Sequence, residues 1–176
     1  EQCRVINFCS YLQLCTLEGP YALSKEYFKS TCASLTPLVS NVFIFDTFGT
    51  GDSRNKVVDV FIRKVLEGEA IEIPENRVLV NLSDVSEVCN SLVPLEGIPL
   101  GESSVHSESV VSLEELAIRI MQLVDKKVEI HRGPSRRCFY SECSRIPDSI
   151  HRPLPNRVLS DHLTKRIEEI ASSKSF

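Results

Sequence analysis

The chain has 176 residues, 42% of them hydrophobic, and a formal net charge of −4, enough for one sizeable core with a small lobe attached. That acidic balance gives no electrostatic basis for binding nucleic acid or an anionic membrane. No apolar run approaches the ~20 residues that cross a bilayer, and without a charged-then-apolar leader the expected location is cytoplasmic.

RVINFCS (4–10) is a short, nearly continuous apolar run, the pattern of a strand buried on both faces, and it ends on Ser10. After a loop, Pro20 sits well as the first residue of a helix over 20–35 that Pro37 brings to an end. Tyr21 and Lys25, four residues apart, share one face of that helix, and Phe28, Cys32 and Leu35 continue the stripe. A phenol titrates near ~10 in water, and an adjacent ammonium stabilises its phenolate, turning tyrosine into a usable acid or base. Ser10, delivered by the strand, supplies a hydroxyl to hold a substrate oxygen. Taken alone, the Tyr–Lys pair also reads as a solvated pair whose stems cover apolar surface.

VSNVFIF (39–45) is a second buried strand, so strand, helix and strand form a βαβ unit and a parallel sheet. Ligands of such sheets gather at the carboxyl ends of the strands, where Ser10 and the turn Asp46–Arg54 both lie. A helix over 55–67 stops at Gly68, and a short strand at 70–73 follows. RVLVNLSD (77–84) is a further strand, leading into a helix that starts at Asp84 with Glu87 in capping-box position. Beyond a Pro/Gly-rich loop at 94–102 come a weak strand at 103–108 and a helix opened by the capping box Ser112–Glu115. A last strand at 127–131, an irregular segment at 132–158 and a terminal helix from Ser160 complete the chain.

The seven cysteines form no C-x2-C pair, and their odd number argues against a closed disulfide framework. Cys9, Cys32 and Cys89 read as small buried hydrophobes. Cys138 and Cys143, with His131 and His151, match no common zinc spacing, so no metal site is expected.

Ser10, the Tyr21-x-x-x-Lys25 pair and VSNVFIFDTFGTGDSR (39–54) together resemble the extended branch of the short-chain dehydrogenase/reductase superfamily. That branch holds nucleotide-sugar epimerases, dehydratases and 4-ketoreductases. The resemblance implies an enzyme that uses NAD or NADP on a nucleotide-activated sugar, with Ser10, Tyr21 and Lys25 as the catalytic set. It implies further that Tyr21 moves a proton at a sugar hydroxyl and that Tyr21 and Lys25 also contact the nicotinamide ribose. Where the family commonly has an Asn facing the substrate diphosphate, this chain has Asp46, which calls for a nearby cation. Arg54 is one candidate. Arg77 is the stronger one, because RVLVNLSDV (77–85) resembles the family's diphosphate-gripping block. The family's His of that block falls on Asn81 and its strand-end Arg on Phe43, so neither role carries over; Arg136 or Arg137 is a candidate for a later phosphate contact.

The resemblance lacks the family's opening GxxGxxG turn. The fold class expected is therefore α/β: the C-terminal part of a Rossmann-like parallel sheet with a small α/β substrate-binding lobe, the N-terminal dinucleotide-binding βαβ missing. Residues 1–54 are assigned to the remaining Rossmann-like catalytic domain and 55–176 mostly to the lobe, with 77–93 returning to the Rossmann-like core. The alternative is a truncated, non-catalytic nucleotide-sugar binding or assembly module. On either view the first strand has an edge free to pair with a second copy, as in a homodimer.

Overall fold

The structure is a computed structural model that describes residues 3–15, 17, 19–52, 54–108, 110–143, 145–150 and 159–173. Strand β1 (Val5–Ser10) leads through a 3-10 turn (Tyr11–Leu14) into helix α1 (Pro20–Leu35), and strand β2 (Val39–Ile44) returns beside β1 in parallel. Register runs from Val5 opposite Val39 to Ser10 opposite Ile44, so both strands deliver their last residues to one edge. Helix α1 starts where the fixed φ of Pro20 suits a first helical residue, after Gly19 at φ +86°.

This head of the chain corrects the fold class expected from the sequence. The β1–α1–β2 unit itself was expected, but, followed by helix α2 (Val57–Glu67), it is the N-terminal Rossmann βαβ pattern, so that pattern is present rather than missing. The expectation equated the unit with its glycine-rich signature. Here the connection from strand to helix is made instead by a 3-10 turn and Gly19–Pro20.

Among the described residues the register gives three short sheets. Strand β6 (Gly101–Val105) pairs in parallel with β2, giving the order β1-β2-β6. Strands β3 (Asp46–Phe48), β5 (Leu79–Asp84) and β7 (Val110–Ser112) form a second sheet, parallel between β3 and β5 and antiparallel between β5 and β7. Strands β4 (Ile71–Pro74) and β8 (Ile130–Gly133) pair in parallel. The segment around Pro147–Ile150, expected to be irregular, lies along β6: Ser104 N–H donates to the Asp148 carbonyl at 3.0 Å and Ile150 N–H to the Ser104 carbonyl at 2.9 Å. Residues 151–158, including His151, lie outside the described residues.

Helices α2, α4 (Leu113–Val124) and α5 (Leu159–Ser173) enclose the larger core, built on Val58, Ile62, Val65, Ile71, Leu116, Ile120 and Leu163. Their limits have local causes. Gly68 ends α2 in the left-handed conformation at φ 80°, and Ser112 and Glu115 close a reciprocal capping box at the start of α4. A smaller core joins Val42 and Val105 to Val88 and Leu92, the last two from helix α3 (Val85–Ser91) and its C-cap.

Two packing expectations fail. The stripe on α1 does not face inward: Tyr21, Phe28 and Leu35 are exposed, and the helix buries Ala22 and Cys32 instead. Cys9 and Cys32 are buried as expected, whereas Cys89 is exposed on α3. Likewise β1, an edge strand within its sheet as expected, is not buried on both faces: it buries Asn7 and Cys9 while Phe8 on its other face is exposed.

Candidate active site at the strand ends

Ser10 ends β1, and its backbone already has work there. Its Oγ accepts the Leu12 N–H at 3.3 Å, and its own N–H donates to Gln13 Oε1 at 2.9 Å, which caps the 3-10 turn. The hydroxyl keeps its own proton to donate. Tyr21 and Lys25 stand on the first turns of α1. The Tyr21 ring is exposed, while the half-buried Lys25 ammonium donates to the Phe8 carbonyl at 3.0 Å, holding the helix start against β1. Ser10, Tyr21 and Lys25 thus come from the strand and helix of one βαβ unit, at the carboxyl edge of its sheet.

Asp46 opens β3, one residue past Phe45, and its Oδ2 is buried with no hydrogen-bond partner among the described residues. Burial pushes its carboxyl above the usual carboxylate range, opposed by the Lys56 ammonium, the Asn81 backbone and the Tyr11 phenol. Tyr11 stacks on Phe45 with ring centroids 5.0 Å apart. Burial, with the Asp46 charge behind it, pushes the Tyr11 phenol well up, so it stays protonated and faces the carboxylate as a donor. Asn81, on the buried face of β5, clips the loop after β6: its Nδ2 donates to the Ser107 carbonyl at 2.6 Å and its Oδ1 accepts the Ser107 N–H at 2.8 Å.

The turn after β3 forms a cleft of about 340 Å³ lined by residues 47–52, Arg54 and Val85. Arg54 reaches across it only as far as Asp52, with Nε on Oδ1 at 2.8 Å and Nη2 on Oδ2 at 2.9 Å. That chelate holds the Asp52 carboxyl down to about 2, and the Tyr21 phenol lies within electrostatic reach of the same guanidinium.

Arg77 stands elsewhere. It precedes β5, whose Leu82 pairs with Asp46, which places Arg77 ~16 Å back along the strand direction. There it lines a separate groove of about 420 Å³ with Arg132 and pairs loosely with Glu115 at 3.4 Å. The structure therefore places Ser10 at the end of β1, Tyr21 and Lys25 on the first turns of α1, with Tyr21 in electrostatic reach of Arg54, and Asp46 at the start of β3, and it sets Arg77 in a second groove. Arg137 is chelated by Glu142 at 2.6–2.9 Å, and Arg136 uses its backbone N–H on Asn76 Oδ1. Tyr11 and Tyr140, the second of which bonds the Asn81 side chain, belong to the cluster around Asp46 and were not picked out from the sequence. Only adjacency to Ser10 in the chain pointed to Tyr11. Among the described residues no cluster of His, Cys, Asp and Glu has the makings of a metal site, and no helix is long and apolar enough to cross a membrane.

No family model and no curated protein matches the sequence. Solved structures do. A UDP-glucose 4-epimerase of Thermus thermophilus, in complex with NAD, superposes with a TM-score of 0.71 at 16% identity over 97% of this chain and 64% of its own. A dTDP-glucose 4,6-dehydratase of Bacillus anthracis, also with NAD, gives 0.73 at 12% identity over 97% and 62%. A UDP-glucuronic acid 4-epimerase of Bacillus cereus, with UDP-glucuronic acid and NAD, gives 0.75 at 13% identity over 96% and 61%. The chain thus spans less than two thirds of the length of each of these structures. At such identities the likeness is one of fold, and the fold of this chain is the one these nucleotide-sugar epimerases and dehydratases share.

Proposed function

We propose that the chain is an NAD(P)-dependent oxidoreductase-type enzyme of the extended short-chain dehydrogenase/reductase kind, acting on a nucleotide-activated sugar by epimerisation, dehydration or 4-keto reduction. The observation that supports this reading is that Ser10 ends β1 while Tyr21 and Lys25 lie on the first turns of α1, the strand and helix of one parallel βαβ unit. The fold likeness adds weight, because the similar structures are described with NAD and with UDP-sugars.

In this reading Tyr21 gives or takes the proton of a sugar hydroxyl, and its exposed ring leaves it open to substrate. Ser10 Oγ, fixed by its capping role, holds the same sugar oxygen with its own O–H. Lys25, tethered to the Phe8 carbonyl, keeps two further N–H groups for Tyr21 and a ribose hydroxyl of the cofactor. The bound nicotinamide would supply the hydride exchange. These donors fit a nicotinamide ribose. The β1–α1 connection has a single described glycine, Gly19, and offers no glycine-rich cradle, so no residue is assigned to the pyrophosphate. Arg54 and Arg77 are the cations for the substrate's phosphates, Arg77 from the second groove.

A second reading, a nucleotide-sugar binding module without turnover, is favoured by the engagement of Ser10 Oγ and of the Lys25 ammonium with backbone groups. Calorimetric titration with UDP- and dTDP-sugars, followed by turnover assays with NAD and NADP, separates the two. The enzyme reading requires turnover that Tyr21→Phe abolishes while sugar-nucleotide binding persists. Binding without turnover selects the module, and near-normal kcat in Tyr21→Phe would remove the role given to the phenol.

A further inference from the structure

Cys15 follows the 3-10 turn after β1, and Cys143 follows a second 3-10 turn, Phe139–Glu142. Although 128 residues separate them, their Sγ atoms lie 3.3 Å apart. Both thiols converge on one acceptor, the Phe139 carbonyl, at 3.1 Å from Cys15 and 3.7 Å from Cys143. The two turns are held in that relation by rings: Tyr11 stacks on Phe45, and Tyr140 meets the same Phe45 ring edge-on at 6.1 Å. Free thiols in this state, the two sulfurs need to close by only ~1.3 Å to reach the bond length of a disulfide.

We propose that Cys15 and Cys143 are a redox modification site, forming a reversible disulfide that clamps the 139–142 turn to the loop leaving β1. The clamp falls beside Asp46 and Ser10, at the edge where the two strands end. The oxidant is a small organic disulfide of the glutathione class. Cys15 thiolate attacks one of its sulfurs, forming a mixed disulfide and expelling one thiolate. Cys143 thiolate then attacks Cys15 Sγ, forming the internal bond and expelling the second thiolate. The two protons given up by the protein end on the two released thiols, and the two electrons lost by the cysteines are those gained by the small disulfide.

Either thiol can donate in the contact between the sulfurs, and burial raises both. Cys138, five residues before Cys143, is the competitor. Its sulfur is turned to β5 instead, accepting the Leu79 N–H at 3.1 Å and lying 3.1 Å from Ser141 Oγ.

The test uses the full chain, reduced and then equilibrated across ratios of oxidised to reduced glutathione, quenched by alkylation and mapped by mass spectrometry. The expected product is a linked pair of peptides carrying Cys15 and Cys143, ~2 Da lighter than the two apart and released by dithiothreitol. Because the bond closes a loop of more than a hundred residues, oxidation raises the thermal midpoint by ~10 °C in the native sequence and leaves Cys143→Ser and Cys15→Ser unmoved. The peptide map of the unmutated chain stands whether or not either variant folds. A Cys138–Cys143 link, glutathione adducts without an internal link, or a link that leaves the midpoint unchanged would overturn the proposal.

Discussion

Arg166 of α5 grips Asp59 of α2 through two hydrogen bonds, Nε to Oδ1 at 2.9 Å and Nη2 to Oδ2 at 2.6 Å. Both side chains are almost fully buried, and the remaining nitrogen of Arg166 donates to Glu169 at 3.0 Å. A charge inside the larger core is tolerable only because the fork matches the carboxylate and every polar atom is used. Asp59→Ala, which strands the guanidinium, is expected to cost ~3–5 kcal/mol, whereas Asp59→Leu with Arg166→Met recovers most of that. Urea unfolding of the single and double variants decides it: a single variant costing under ~1 kcal/mol would show that the pair does not pin α5 to α2.

Asp46 is expected to be a site of stored instability. Its folded carboxyl is raised by burial, so between its unfolded pKa and the raised value the native chain binds more protons than the unfolded one. Stability therefore falls as pH rises through that window. Asp46→Asn removes the titration, so it should be more stable than the native sequence at pH 7 and no more stable near pH 3. Equal thermal midpoints at pH 7 would remove this account of the orphaned Oδ2.

The Asp52–Arg54 chelate has the opposite sign. Held down to about 2, the Asp52 carboxyl contributes stability that is present above its unfolded pKa and lost only as pH falls through about 2. The pair is at the surface, so the effect on unfolding is small and screened by salt. Side-chain carbon NMR is the direct readout: the Asp52 midpoint should rise toward ~3.9 in Arg54→Ala. No change in that midpoint would show that the cleft does not hold this pair closed in solution.

Legibility from the sequence followed locality. Pro20, Gly68 and the Ser112–Glu115 box act within one helical turn, and the helices begin or end where those residues place them. Strands β3 and β7 are three residues each and exist only through their partners on β5, so no local period announced them. The outward stripe of α1 shows the limit of periodicity, which finds a face but not what covers it. At the candidate site, Ser10, Tyr21 and Lys25 could be proposed from the sequence because strand end and helix start are close in the chain. The cluster of Tyr11, Asp46, Asn81 and Tyr140 spans most of the sequence and needed coordinates. The strand–helix–strand unit over residues 4–45 was legible and is present, whereas the expectation that the N-terminal dinucleotide-binding βαβ was missing failed, because a glycine signature is one way of making that turn, not the unit itself.

The turn that floors the cleft depends on Gly49 for a reason that coordinates alone reveal. Gly49 has φ +149°, and a Cβ built there would lie 2.5 Å from Val85 Cγ1 and 3.3 Å from Val85 Cβ. Two penalties act together in Gly49→Ala: a backbone conformation that L residues rarely adopt, and a contact far inside van der Waals range. Their sum should be ~2–4 kcal/mol, with the steric share borne by the first residue of α3. Val85 is partly exposed, so trimming it leaves little cavity. Gly49→Ala with Val85→Ala should therefore recover the steric share and keep the conformational one, about half of the loss. Full recovery in the double variant would mean that φ at Gly49 is unstrained, and no recovery would mean that Val85 is not the obstacle. Either result, read by urea unfolding of the four variants in the cycle, separates shape from backbone at the turn that carries Asp52 and Arg54 into the cleft.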